Sequence, residues 1–269
     1  MPVDLFSLQG RVAIVTGALG LLGQQHCRAL TEAGASVVVC DLDGDKCRAL
    51  AETLGPGAFG IGVDITNPDS IGTLKDETLK RYQKLDILVN NAAINDAVEH
   101  SVSKTDVSQF ENYALSHWKK SIDVNVTGNF LCNQILGTEM TRRGSGSIIQ
   151  IASTYGIVAP DQRLYRDAQG KQTFYKAVSY PVSKAAILSM TRYLAAYWGG
   201  TGVRINALSP GGVENGQDDF FIASYAARTP MGRMARPTDY KGALIFLASD
   251  ASGYMNGANL VVDGGWTIW

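Results

Sequence analysis

The sequence predicts an α/β fold: one doubly wound sheet of seven mainly parallel strands with helices on both faces. Three observations predict it. Short runs rich in β-branched residues recur along the chain, longer segments of helical periodicity separate them, and a cluster of glycines follows the first run directly. That alternation implies parallel strands joined by crossover helices. With 269 residues, 45% of them hydrophobic, one domain can hold a substantial core. No repeat or low-complexity linker divides the chain, so residues 1–269 read as a single domain.

The strands are expected at 12–16, 36–40, 58–63, 87–90, 147–152, 203–208 and 259–262. The first helix follows the glycines and ends near Gly34. The clearest helix spans 185–198, where Ile187, Leu188, Met190, Tyr193, Leu194, Tyr197 and Trp198 place apolar groups around most of its circumference. One sheet cannot cover such a helix, so it reads either as a subunit interface or as a helix central in the monomer.

The formal net charge of −1 leaves no basic stripe for nucleic acid and no polybasic patch for a membrane surface. Residues 1–10 lack a basic region followed by a long apolar run, and no later segment has the roughly twenty apolar residues a bilayer requires. Small-molecule chemistry in the cytoplasm is the expectation. Cys27, Cys40, Cys47 and Cys132 form no C-x-x-C pair and read as reduced core or surface thiols. His26, His100 and His117 have no ligand spacing with one another or with cysteine. They read as surface or helix residues, and no metal is expected.

The first strand leads into Gly17, Ala18, Leu19, Gly20, Leu21, Leu22 and Gly23. Glycines there would let the backbone approach a pyrophosphate, with helix N–H groups and the positive dipole end as the anion site. A tight turn explains the same glycines equally well. The next strand favours the phosphate: it leads into Asp41, where an acidic side chain accepts from the adenosine ribose hydroxyls of a dinucleotide. Asp41 would also repel a 2′-phosphate. No Lys or Arg occurs over 16–25, so NAD is expected over NADP.

Tyr180, Pro181, Val182, Ser183 and Lys184 spell Y-P-V-S-K. A tyrosine and a lysine four apart share a helix face, so the ammonium can lie beside the phenol and favour its ionised form. A free phenol titrates near ~10, too high for acid or base work at neutral pH without such a neighbour. Alone, the pair reads as incidental to an amphipathic helix.

Taken together, Thr16-Gly17 with its glycines, Asp64-Ile65, Asn90-Asn91-Ala92-Ala93, Asn125, Ser153, Tyr180, Lys184, Pro210-Gly211 and Val262-Asp263-Gly264-Gly265 resemble the short-chain dehydrogenase/reductase family over nearly the whole chain. The resemblance implies a Rossmann-like fold, an NAD cofactor and a likeness to homotetramers, with a dimer as fallback. It implies that Asp64 and Ile65 hold the adenine, that Asn91, Ala92 and Ala93 line the adenosine side, and that Pro210, Gly211 and Val213 border the nicotinamide. Lys184 would bind the nicotinamide ribose and lower the pKa of Tyr180. Ser153 would bond the substrate oxygen, and Asn125 would hold a water that links Lys184 to solvent. Read singly, Asn125 is a helix-kinking polar residue, Ser153 a strand-end hydroxyl and Asp64 a loop cap.

Three departures from the family pattern stand out. Leu21 occupies the usual central glycine position, with the glycine at Gly20. Asn215 stands where a threonine often contacts the carboxamide. The interval from Ser153 to Tyr180 is about double the usual one, an insertion over 160–179. The insertion carries Arg163, Arg166, Lys171 and Lys176 against Asp161 and Asp167, with Tyr165, Phe174 and Tyr175 interspersed. It would either steer a polar, anionic substrate such as a sugar, sugar acid or nucleotide-linked sugar, or form a solvated loop against a neighbouring subunit. Residues 215–229 are expected to close over substrate as a lid. With Tyr180 as acid/base, the expected activity interconverts a secondary alcohol and a ketone. An NAD-retaining sugar epimerase or dehydratase and a non-catalytic NAD-binding protein are the alternatives. A looser likeness to bacterial sugar and surface-polysaccharide enzymes ranks substrate candidates only.

Overall fold

A computed structural model describes residues 4–95 and 104–269; His100 lies outside them. Seven strands, β1 (Val12–Thr16), β2 (Ser36–Asp41), β3 (Phe59–Gly62), β4 (Ile87–Asn90), β5 (Gly146–Ile151), β6 (Val203–Pro210) and β7 (Asn259–Val262), form one sheet in the order β3-β2-β1-β4-β5-β6-β7. Every neighbouring pair is parallel. The helices are α1 (Leu21–Glu32), α2 (Gly44–Leu54), α3 (Pro68–Tyr82), α4 (Lys104–Ser108), α5 (Leu115–Ile122), α6 (Asn129–Cys132), α7 (Thr138–Arg143), α8 (Ser179–Tyr197), α9 (Asp219–Ala226) and α10 (Lys241–Ala248).

Strands β1, β4 and β7 have the expected bounds; the other four differ at their ends. Asp41 joins β2, the edge strand β3 is one residue shorter at each end than 58–63, and β5 starts and stops one residue early. Ser209 and Pro210 extend β6 because they stay in register with Val261 and Val262 of β7.

Alternation along each strand divides the core in two. Ala13, Val15, Val37, Val39, Ile87 and Val89 pack on one face with Leu30 of α1, Ala51 of α2 and Leu244 and Leu247 of α10. Ile14, Val38, Leu88, Ile148 and Ile205 point to the opposite face, against Ile71 and Leu74 of α3, Met140 of α7 and Ala195 of α8. Local chemistry sets the helix starts. Asn67 Oδ1 accepts from the N–H groups of Asp69 and Ser70 at 2.9 and 3.3 Å, and Pro68 opens α3 where no N–H is needed.

Helix α8 begins at Ser179, six residues before the expected 185. Pro181 is tolerated because a first-turn residue lacks an intrahelical acceptor for its N–H anyway. The consequence is functional: Tyr180 and Lys184 share the opening turns of one helix. Further along, Tyr193 and Tyr197 are exposed and stacked, their ring centres 5.9 Å apart. Leu115 of α5 and Phe130 of α6 are also exposed apolar side chains.

The four thiols are all core residues, unpaired and buried. Burial pushes Cys27 and Cys132 up to about 12. His26 is a helix residue but not a surface one. It is fully buried in α1, neither ring nitrogen has a hydrogen-bond partner, and burial lowers its pKa to about 4. The unfolded chain therefore takes up a proton between about pH 6.5 and pH 4 that the folded chain refuses, so stability falls as pH drops through that window. At pH 5 the penalty is about 2 kcal/mol. His26→Met is expected to remove it. Urea denaturation at pH 7.5 and pH 5.0 checks this: the variant should lose about 2 kcal/mol less on acidification than the parent, and an equal loss would refute the assignment.

Candidate active site

The strand order reverses between β1 and β4, which opens a crevice beyond the carboxyl ends of the sheet. Two cavities occupy it. One of about 440 Å³ is lined by Gly17, Gly20, Leu21, Gly23, Asp41, Asp64, Ile65, Asn91, Ala92 and Ala93. The other, of about 300 Å³, is lined by Ser153, Tyr180, Lys184, Pro210, Gly211 and Val213. They share Leu22, Asn91 and Ala93 and so form one crevice. Of the residues assigned a catalytic or cofactor contact from the sequence, Asn125 lines neither cavity, and Asn215 lines neither as well.

In the larger half the backbone itself is the wall. Gly17 has φ +63°, and a Cβ there would lie 2.6 Å from Ala92 Cα; one at Gly23 would lie 2.2 Å from the Gly17 carbonyl oxygen. Thr16 and Asn91 hold this turn against β4. Thr16 Oγ1 accepts from the N–H groups of Asn91 and Ala92 at 3.0 and 3.1 Å, and Asn91 Nδ2 donates to the carbonyls of Thr16 and Gly17 at 3.0 and 2.9 Å. The displaced glycine, Gly20, caps α1 with no side-chain bond. The first-turn N–H groups are thus left for an anion. Asp41 accepts from the N–H of Leu19 at 3.0 Å and of Leu42 at 2.8 Å, tying the end of β2 to the turn. The cradle, the helix end and the acidic strand terminus fit a dinucleotide.

In the smaller half, Lys184 is 5% exposed. Its Nζ donates to the Ile151 carbonyl at 2.8 Å and lies 5.8 Å from the centre of the Tyr180 ring. Burial lowers its pKa to about 8. Ser153 continues from β5 in extended conformation, and its Oγ accepts from the Tyr155 N–H at 3.1 Å. The tight turn that follows packs on α8 so closely that a Cβ at Gly156 would lie 2.8 Å from the Lys184 carbonyl. Nothing in the sequence marked Gly156, because the contact joins segments distant along the chain.

Asn125 sits behind the wall, in a π-helical turn over Asp123–Gly128. Its Oδ1 accepts from the Ile94 N–H at 2.8 Å, and its Nδ2 donates to the Ile94 carbonyl at 3.1 Å and Ser183 Oγ at 3.2 Å. The amide clamps the loop after β4 to α8. Asn215 is exposed, and its N–H donates to Gln217 Oε1 at 2.7 Å. Of these two, it is Gln217 that lines the cavity. Spacing within the loop could not have distinguished the two.

The insertion over 160–179 packs within the same chain. Leu164, Tyr165 and Phe174 cluster with Phe221, Ile222 and Tyr225 of α9 and with Trp266, and Asp161 pairs with Arg228 at 3.0 Å. Tyr225 stacks on Trp266 with ring centres 4.2 Å apart and accepts from the Gly212 N–H. The insertion and α9 wall the smaller cavity, to which Tyr165, Lys176, Phe221 and Tyr225 contribute directly.

A family model described as enoyl-(acyl carrier protein) reductase, of the short-chain alcohol dehydrogenase type, matches residues 17–267. The chain is 34% identical over 271 residues to the D-threitol dehydrogenase of Mycolicibacterium smegmatis, covering 98% of this chain and 95% of that one. It is 34% identical to the galactitol 2-dehydrogenase (L-tagatose-forming) of Cereibacter sphaeroides, covering 98% of each. The crystal structure of a gluconate 5-dehydrogenase from Burkholderia cenocepacia, in complex with NADP and tartrate, superposes with a TM-score of 0.86 at 31% identity, covering 99% of this chain and 98% of that one. With a seven-stranded parallel sheet, a dinucleotide crevice and the Y-P-V-S-K helix opening onto it, the chain belongs to the short-chain dehydrogenase/reductase family, oxidoreductases that act on CH–OH groups with a nicotinamide dinucleotide.

Proposed function

We propose that the chain is an NAD-dependent dehydrogenase of polyhydroxylated secondary alcohols, polyols or sugar acids, with Tyr180 as the acid/base. One observation carries this reading: Ser153, Tyr180 and Lys184 line a single cavity continuous with the dinucleotide cradle. The names of the threitol, galactitol and gluconate relatives support the substrate class.

In this reading a substrate hydroxyl lies between Ser153 Oγ and Tyr180 Oη. Ser153 donates to the substrate oxygen and orients it, and Tyr180 Oη takes its proton as the carbonyl forms. Lys184, held against the Ile151 carbonyl, keeps a positive charge under the phenol and favours its ionised form. A group that titrates near 8 is still mostly an ammonium at neutral pH. When bound, the dinucleotide supplies the hydride acceptor. Asn125 aligns α8 with the loop after β4 through its bonds to Ile94 and Ser183, and it is assigned the water that links Lys184 to solvent. The roof of α9 and the insertion excludes bulk water as a lid over 215–229.

Asp41 is assigned the adenosine ribose. Its charge, with the apolar Leu42 beside it, disfavours a 2′-phosphate, which is the ground for NAD over NADP. Asp64 and Ile65 are assigned the adenine side, and Pro210, Gly211 and Val213 the nicotinamide side. The exposed apolar side chains on α5, α6 and α8 suit a homotetramer, or a dimer as the smaller assembly. The four unpaired thiols suit a reducing cytoplasm.

Tyr180→Phe is expected to leave dinucleotide affinity within about threefold while lowering kcat by at least about a hundredfold. Stopped-assay rates and fluorescence titration check this, and a variant that keeps most of its rate would remove the acid/base role. Asp41→Asn, which still offers an oxygen to the Leu19 N–H, should lower the NAD-to-NADP ratio of kcat/KM by about tenfold or more; an unchanged ratio would take Asp41 out of the ribose site. Light scattering should give a multiple of the 28.8 kDa chain mass, and a monodisperse monomer would overturn the assembly.

A further inference from the structure

The turn over 210–213, where β6 ends, is a thin partition. Gly211, Gly212 and Tyr225 line the substrate cavity and also a second cavity, of about 220 Å³, that reaches Tyr240, Val262 and Asp263. A wall shared by two open spaces is placed by its bonds more than by packing. The Gly211 N–H donates to the Val262 carbonyl at 3.0 Å, and the Gly211 carbonyl accepts from Tyr240 Oη at 3.2 Å. The Gly212 carbonyl accepts from the Ala235 N–H at 2.9 Å. These bonds tie the turn to β7 and to the segment before α10.

A further bond comes from α9. The Gly212 N–H donates to Tyr225 Oη at 2.6 Å. Tyr225 is 3% exposed, and its ring stacks on Trp266 with centres 4.2 Å and planes 11° apart. Its backbone carbonyl accepts from Thr229 Oγ1 at 3.0 Å. The phenol is therefore fixed from the ring face and from its own helix. The approach is close: a Cβ at Gly212 would lie 2.5 Å from Tyr225 Cζ, so a residue without a side chain is what lets the oxygen reach the N–H.

Helix α9 walls the substrate cavity through Phe221 and Tyr225, and the turn is the one assigned to the nicotinamide. One phenol thus joins the wall of the substrate to the wall of the cofactor. Resting on the dehydrogenase reading above, we propose that Tyr225 is a positioning residue that couples the two binding events. A substrate that packs against α9 fixes the phenol, the phenol fixes the Gly212 N–H, and the turn is held where the nicotinamide needs it. Coupling of this kind is reciprocal, so a bound dinucleotide raises substrate affinity by the factor by which substrate raises dinucleotide affinity.

The test is fluorescence titration of NADH with and without a saturating alcohol, the alditol or aldonate that the parent oxidises fastest with NAD. NADH and an alcohol do not react, so the ternary complex is at equilibrium. In the parent the alcohol should tighten NADH by about fivefold or more. Tyr225→Phe keeps the ring on Trp266 and removes the acceptor; it should bind NADH alone within about threefold of the parent, lose the tightening to within about twofold of none, and lower kcat by about tenfold or more. Gly212→Ala disturbs the same contact from the other side and should do likewise, which keeps the test open if the Phe variant fails to fold. A parent without tightening, or variants that keep both the tightening and kcat, overturn the proposal and leave the dehydrogenase reading standing. A parent that binds NAD but oxidises no alditol or aldonate overturns that reading, and this proposal with it.

Discussion

A lysine charge buried against a backbone carbonyl is the constraint on which the rest of the site depends. Removing an ammonium from water is costly unless its hydrogens find partners. Lys184 keeps its charge at neutral pH through the Ile151 carbonyl and the face of Tyr180, at the expense of a pKa lowered to about 8. Those contacts exist only if the start of α8 lies hard against the end of β5. Gly156 permits that approach by having no side chain where the Lys184 backbone passes. Ser153 leaves the same strand end three residues earlier, so the joint that places the ammonium also places the Ser153 hydroxyl at the cavity.

The dinucleotide half is built by a comparable economy. Parallel strands bring their carboxyl ends to one edge, and the reversal of strand order between β1 and β4 separates the loops there into a crevice. Thr16 and Asn91 then close the floor by satisfying each other's backbone groups across the two strands. Because the walls of this half are backbone, it tolerates the shift of a glycine from position 21 to position 20: Leu21 simply becomes the first residue of α1 and lines the cavity.

The substrate half is where this chain departs from a minimal scaffold. An aromatic cluster of Tyr165, Phe174, Phe221, Tyr225 and Trp266 joins three segments far apart in sequence. The Asp161–Arg228 pair adds a charged tie between two of them. Burying these rings is what holds the insertion beside the reaction centre, and it leaves Tyr165 and Lys176 facing inward while the other cations of the insertion face water. The cavity wall is thus prearranged by packing within one chain.

Strand number, parallel order, the glycine cradle, Asp41 and the Tyr180–Lys184 pair were all legible in the amino-acid sequence, because each depends on neighbours within one turn or on a short periodic run. The partners of Asn125, Asn215 and His26 and the packing of the insertion were not, because they come from other elements. Asn125 clamps Ile94 to α8 rather than entering the cavity, Gln217 takes the inward place beside an exposed Asn215, and His26 is buried where its helix meets the core. The sequence by itself determined the family chemistry, through residues whose spacing follows the strand and helix repeats. Only the tertiary structure decided which residues of the insertion and of the 215–229 segment line the cavity, since that depends on how distant apolar side chains pack and not on any period along the chain.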